Sequence, residues 1–197
     1  MGEDLGIIKT IHRLTFKEFT VVLRALKSSL QLVAVSVALA AWPWAAGAFD
    51  AAKFDDFKTT NVCKYCDLTD APLSGRDMRG ADFQNANLSG AVMSKANMGE
   101  RPMEKRTLVT NFEDANLRRA DFSGANLHLA NFTSAYLREA NLTGADLSDA
   151  VLTKANLKGA VLSGANLKGA KLDDAKLDDA KFCKTVMPDG TVNDSGC

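Results

Sequence analysis

The chain has 197 residues, 46% of them apolar, and its 24 basic and 24 acidic side chains give zero formal net charge. That fits one repeat domain plus a leader. It gives no overall charge that would favour a partner of one sign.

The leader differs from everything after it. Residues 1–27 carry Lys9, Arg13, Lys17, Arg24 and Lys27 against Glu3, Asp4 and Glu18, and Ser28 to Ala41 has no charge. Trp42-Pro43-Trp44 breaks that run, and Ala46-Gly47-Ala48 comes next. A basic segment, an apolar run and an A-x-A site are the parts of a secretory signal peptide, here with cleavage between Ala48 and Phe49. The run is short for a span of ~20 residues. Extending it to Ala48 reaches that length, so residues 1–48 as an uncleaved helical anchor are the alternative. Either way the basic flank stays in the cytoplasm and the rest is exported, to a periplasm or beyond the cell. The acidic residues argue against a mitochondrial or chloroplast transit peptide.

Residues 49–66 form the next unit. Phe49, Phe54 and Phe57 lie in a stretch without repeats, where a short helix is expected to cover the open edge of the first repeats. Cys63-Lys64-Tyr65-Cys66 ends this cap; Cys183 and Cys197 lie at the far end of the chain. An even count after a cleavage site reads as disulfides, with three connectivities open. By position the simplest is Cys63–Cys66 and Cys183–Cys197. A redox-active C-x-x-C is the sharper alternative, but no βαβ pattern surrounds it.

From Asp67 to Phe182 the chain repeats every five residues. Ala115-Asn116-Leu117-Arg118-Arg119 is typical, and from Ala115 to Ala180 every fifth residue is Ala, with Leu or Phe two places on. A step of five drifts by roughly 140° around a helix and changes face at each step along a flat strand. Neither buries the pattern. A chain that bends once per repeat does: Ala and the Leu two places on then point the same way, and the bend falls on the two residues after Leu. The second of these is Gly at 75, 80, 90, 124, 144, 159, 164 and 169, as type II turns favour.

The first block has centres Leu68, Leu73, Met78, Phe83, Leu88, Met93 and Met98; Cys66 and Arg76 replace its inward Ala. Arg76 is expected at a distortion or near an end. The rule then fails over residues 99–111. Met103 and Leu108 keep the old spacing, with Arg101 and Arg106 in the small inward slot, and at Phe112 the phase has moved by one residue. Glu100, Arg101, Pro102, Glu104, Lys105 and Arg106 favour an exposed loop there, and distorted strands are the other explanation. The second block runs to Phe182. The tail 183–197 contains Pro188-Asp189-Gly190 between Thr185-Val186 and Thr191-Val192, a hairpin signal.

These residues resemble the pentapeptide-repeat family, whose motif is A(D/N)LXX. The resemblance implies an all-β fold, a right-handed quadrilateral β-helix, with four pentapeptides per coil and the Leu, Phe and Ala inside. Residues twenty apart then stack about 4.8 Å apart: Phe112, Phe132, Leu152 and Leu172 in one column, Leu117, Leu137, Leu157 and Leu177 in another. An Asp at Leu142 should destabilise badly, and one at Thr143 should be nearly neutral. The tail resembles endings of exported members that cap the last coil. In relatives that block DNA gyrase, loops projecting from the solenoid carry the partner contact, which ranks residues 99–111 first for function. Stacking also aligns Arg118, Arg138 and Lys158 as a basic ladder that could meet an acidic partner. It aligns Ser123, Thr143 and Ser163 as a flat face that could pack on another protein or a second copy of the chain.

No catalytic constellation, metal set or cofactor motif is read from the sequence. His128 is the one histidine after the leader, at a bend. The expected function is an exported, non-catalytic scaffold or protein-interaction module with an unidentified protein partner. It touches no nucleic acid, and meets a membrane only through an uncleaved leader. A DNA-mimic topoisomerase inhibitor and a thiol-disulfide protein using Cys63 and Cys66 are the alternatives. The first needs a strongly acidic surface. Without residues 1–48, the 24 basic groups lose five and the 24 acidic groups lose three, leaving a net charge of −2. A thylakoid lumen in place of a periplasm remains open.

Overall fold

The computed structural model describes residues 51–104 and 106–197. The leader, with the junction Ala48–Phe49, lies outside the described residues. From Val62 on, the backbone forms coils of twenty residues. Parallel bridges join positions twenty apart at every fifth residue, as in Asn116↔Tyr136↔Asn156↔Lys176. Four bridges per turn give each coil four short sides. Each side pairs through single residues, too short to count as a strand.

The corners are turns. The Ala120 N–H donates to the Leu117 carbonyl at 3.2 Å and the Ala140 N–H to Leu137 at 3.1 Å. The residue before each such Ala has positive φ: +63° at Gly124, but also +57° at Arg119 and +60° at Leu129 and Lys154. Glycine is favoured at the corner and not required. The strain of a side chain there, roughly 1–2 kcal/mol, is offset because the same residue bonds the next coil, as Arg119 N–H does to the Arg138 carbonyl at 3.0 Å.

The interior is filled. Leu117, Leu137 and Leu157 are at most 1% exposed, and Leu177 of the last coil is partly buried. Phe83, Phe112 and Phe132 stack nearly parallel at 5.1 and 4.8 Å, and Phe122 meets the last two edge-on. Their spacing is the coil pitch.

The Asn or Asp before each Leu points outward and does two jobs. Its Oδ1 accepts the N–H two residues on, as Asn126 does from His128 at 3.1 Å. An Asn also donates from Nδ2 to the equivalent side chain of the preceding coil: Asn131 to Asn111 at 2.9 Å, Asn141 to Asp121 at 2.9 Å, Asn166 to Asp146 at 3.1 Å. A carboxylate only accepts, so this ladder has a direction. Asp67, Asp77, Asp82, Asp121 and Asp146 are each bridged to an Asn in the following coil, and none to an Asp.

At the N-terminal end, helix α1 (Ala51–Thr60) lays Phe57, 4% exposed, on Phe83 with ring centroids 5.0 Å apart. Asn61 stops the helix at φ 58°, the left-handed residue that commonly follows a helix. Arg76 lies in the coil beneath α1 and is exposed, so it escapes from the inward slot at the end of the shaft.

Residues 99–111 leave the shaft as an exposed excursion built on a pair of strands. Strands β1 (Arg101–Met103) and β2 (Arg106–Leu108) form an antiparallel hairpin. Bridges across it join residues 29 apart, as Asp82↔Asn111, so nine residues are inserted into a twenty-residue coil. Met103 and Leu108 therefore do not continue the inner column: Met103 is 52% exposed and Leu108 half-buried. Phe112 takes the seat after Met98. The small inward slot goes to neither arginine: Arg101 and Arg106 belong to the two hairpin strands, and Thr110, fully buried, fills it.

At the C-terminal end, β3 (Thr185–Val186) and β4 (Val192–Asn193) pair antiparallel. The tail returns so that the Phe182 N–H donates to the Ser195 carbonyl at 3.0 Å.

Candidate functional site

The hairpin is fixed at its base. Inserting nine residues removes the acceptor that the Gly80 N–H would find in the next coil, and the Thr110 hydroxyl replaces it at 3.1 Å. The same hydroxyl reaches the Met78 carbonyl at 3.2 Å and the Gly99 carbonyl at 3.4 Å. Gly80, at φ +67°, has the hairpin lying on it. A Cβ there would stand 2.8 Å from Leu108 Cβ and 3.3 Å from Arg101 Cβ. Beside it, Arg79 grips Asp77 with two bonds of 2.9 and 2.8 Å. That guanidinium, with smaller help from Arg101, holds the Asp77 carboxyl below its ordinary value against the effect of burial.

On this base Glu100, Arg101, Pro102, Met103 and Glu104 are exposed, and Arg106 lies on β2. Lys105 lies outside the described residues. Sequence reasoning missed Thr110 and Gly80 as the hairpin's anchors. The signal was present, since Thr110 stands two residues before Phe112, where the resumed repeat elsewhere has Ala.

Cys63 bonds Cys66 and Cys183 bonds Cys197. Cys63 and Cys66 occupy inward positions of the first coil at 4% and 2% exposure. A redox dithiol needs an exposed, low-pKa sulfur, so this burial removes the thiol-disulfide reading. Cys197 is exposed and closes the tail over the other end.

Arg118, Arg138 and Lys158 stand on one side of three successive coils, aligned by the bridges Asn116↔Tyr136↔Asn156. Arg119 bonds Glu139 at 2.8 Å, which holds that carboxyl below its ordinary value.

His128 is less isolated than its bend position implied. Its Nδ1 lies 2.9 Å from the Ser148 hydroxyl and 4.0 Å from an Asp149 oxygen. One ring nitrogen faces both neighbours, so the imidazole cannot pass a proton between them as a relay base does. Two shallow clefts flank α1, of about 230 and 210 Å³, below the usual 300–1,000 Å³ of ligand pockets.

A filled repeat shaft, capped at both ends and carrying an anchored hairpin, defines an all-β repeat protein. The profile described as Pentapeptide repeats matches residues 66–100, 110–149 and 145–183, with eight copies. The chain belongs to the pentapeptide-repeat family. The profile breaks where the hairpin stands. Among solved structures, the chain is similar to the pentapeptide-repeat protein Rfr23 of the cyanobacterium Cyanothece 51142. Identity is 24% over 70% of this chain and 98% of that one, with a TM-score of 0.41. It is also similar to HetL of Nostoc sp. strain PCC 7120, involved in heterocyst differentiation regulation: 31% identity, 67% of this chain, 66% of that one, TM-score 0.36. A third is AT2G44920 of the Arabidopsis thaliana thylakoid lumen: 25% identity, 60% of this chain, 69% of that one, TM-score 0.21. A search of curated protein sequences finds no match.

Proposed function

We propose that this chain is an exported, non-catalytic scaffold, a right-handed quadrilateral β-helix that binds a protein partner through the β1–β2 hairpin. The observation that carries the reading is the Thr110–Gly80 anchorage beneath an exposed Met103. Between Asp67 and Phe182 the repeat is abandoned there, and the hairpin's base is hydrogen-bonded to the coil. Export rests on the leader's composition and on four cysteines paired in two disulfides, a state that oxidising compartments maintain. The family's topoisomerase inhibitors are the second reading; a net charge of −2 after residue 48 argues against it.

Two measurements test this. Fractionation with mass spectrometry of the mature N-terminus should give a start at Phe49 and four oxidised cysteines outside the cytoplasm. An intact leader in a soluble cytoplasmic pool would contradict it. A photo-crosslinking residue at Met103 should join one discrete polypeptide that the same residue at Thr153 does not. Equal capture at both positions would contradict the assignment of the hairpin.

A further inference from the structure

We propose that the side carrying Arg118, Arg138 and Lys158 is a second docking surface, and that it takes an acidic, extended segment of a protein. The proposal rests on the reading of the chain as an interaction scaffold but concerns a face separate from the hairpin.

Three departures from the repeat's own rules coincide here. The first is charge. Stacked positions on neighbouring coils are about 4.8 Å apart, and like charges directly opposite are unfavourable. Yet three cations follow one another. The acid among them, Glu139, bonds Arg119 at 2.8 Å and feels Arg118 and Arg138 more weakly, and Lys158 leans away to Asp179 at 3.5 Å. Among the described residues no ion pair neutralises Arg118 or Arg138. The second is an unsatisfied donor: the Arg138 Nε is buried without a hydrogen-bond partner. The third is Tyr136. It occupies the outward position that Asn116 and Asn156 hold in the coils on either side. There it interrupts the amide ladder and is itself 53% exposed. Each feature works against the isolated fold, and all three lie within two coil steps.

The chemistry selects the occupant. Two guanidinium forks match carboxylates bidentately. An exposed Tyr beside Arg is the residue pair enriched where protein interfaces carry their energy. The rank spans roughly 10 Å along the stack, the reach of three extended residues at ~3.3 Å each. Duplex DNA asks for a wider basic footprint of several phosphate contacts.

The test uses the full-length chain and a fluorescein-labelled deca-glutamate peptide at low salt, read by anisotropy. Saturable binding is expected. Arg118→Gln with Arg138→Gln should weaken it at least tenfold and Tyr136→Ala about fivefold. Lys168→Gln with Lys181→Gln, on the sides that carry Asn166 and Val161, should leave it unchanged, and circular dichroism should be the same for all. Four results overturn the proposal. They are no saturable binding, equal loss in the Lys168/Lys181 variant, tighter binding of heparin or a DNA duplex than of the peptide, and binding only to anionic vesicles. Failure here leaves the hairpin and the export assay untouched, so the two readings fail separately.

Discussion

Substituting Asn141 by Asp changes one atom's chemistry and tests the direction of the amide ladder. Asn141 Nδ2 donates to Asp121 Oδ1 at 2.9 Å, and its own Oδ1 accepts the Thr143 N–H at 3.2 Å. An Asp keeps the second bond and loses the first. The lost bond is to a charged group, worth about 1.5–3 kcal/mol. Two carboxylates then face each other, adding about 1 kcal/mol in a water-like medium and about 4 kcal/mol at the effective dielectric of a protein surface. Both sites are half-buried, so Asn141→Asp should destabilise by about 2.5–7 kcal/mol at neutral pH. The penalty should shrink on acidification, because one shared proton restores a bond between the oxygens. Asp121→Asn should lose no more than about 1–1.5 kcal/mol, since Asn116 on Asn87 and Asn126 on Asn97 already make the same contact between neutral amides at 2.9 and 3.0 Å. The assay is urea unfolding followed by circular dichroism. Equal stability of Asn141→Asp and the parent, or a larger loss from Asp121→Asn, would refute the reasoning.

Four further outcomes rest on contacts of the same kind. Leu142→Asp puts a charge in the shaft and should abolish cooperative unfolding at room temperature, whereas its neighbour Thr143→Asp should lose about 1 kcal/mol. That loss is more than the surface position of Thr143 implied, because its Oγ1 donates to Asn141 Oδ1 at 2.6 Å. Gly80→Val should lift the hairpin off the coil, read as faster tryptic cleavage after Arg106 with the repeats still folded. In the tail, the Thr191 hydroxyl first and its N–H second hold the Asp189 carboxyl below its ordinary value. This stabilising contribution is present above the unfolded carboxyl's range. It should be lost as the pH falls through the lowered value, measured as loss of amide protection at Thr191. With added dithiothreitol, Cys183 and Cys197 should be alkylated before Cys63 and Cys66, which lie 4% and 2% exposed in the shaft; simultaneous labelling would contradict their burial.

Much of the shaft was legible because its rule is local. Ala at 115 and Leu at 117 must point the same way wherever a chain bends between repeats, and that comes from backbone geometry alone. The hairpin was half legible. Nine inserted residues are one short of two pentapeptides, so the phase moved by one at Phe112, and Met103 and Leu108 kept a spacing that meant nothing. Only the bridges between residues 29 apart show that they are outside. The ladder's direction was not legible, since Asp and Asn look equivalent until the side chain twenty residues on is known to lie about 3 Å away. Tyr136 was hidden for the same reason. Its neighbours in space, Asn116 and Asn156, are far along the chain.

A crystal structure resolving the side chains of Leu137, Leu157 and Leu177 tests the central claim most directly. The account predicts the three piled inside at the coil spacing, with Phe83 stacked under Phe112 across the hairpin. Any register other than 20 residues between coils, or 29 across the hairpin, or any of these leucines turned outward, would contradict it.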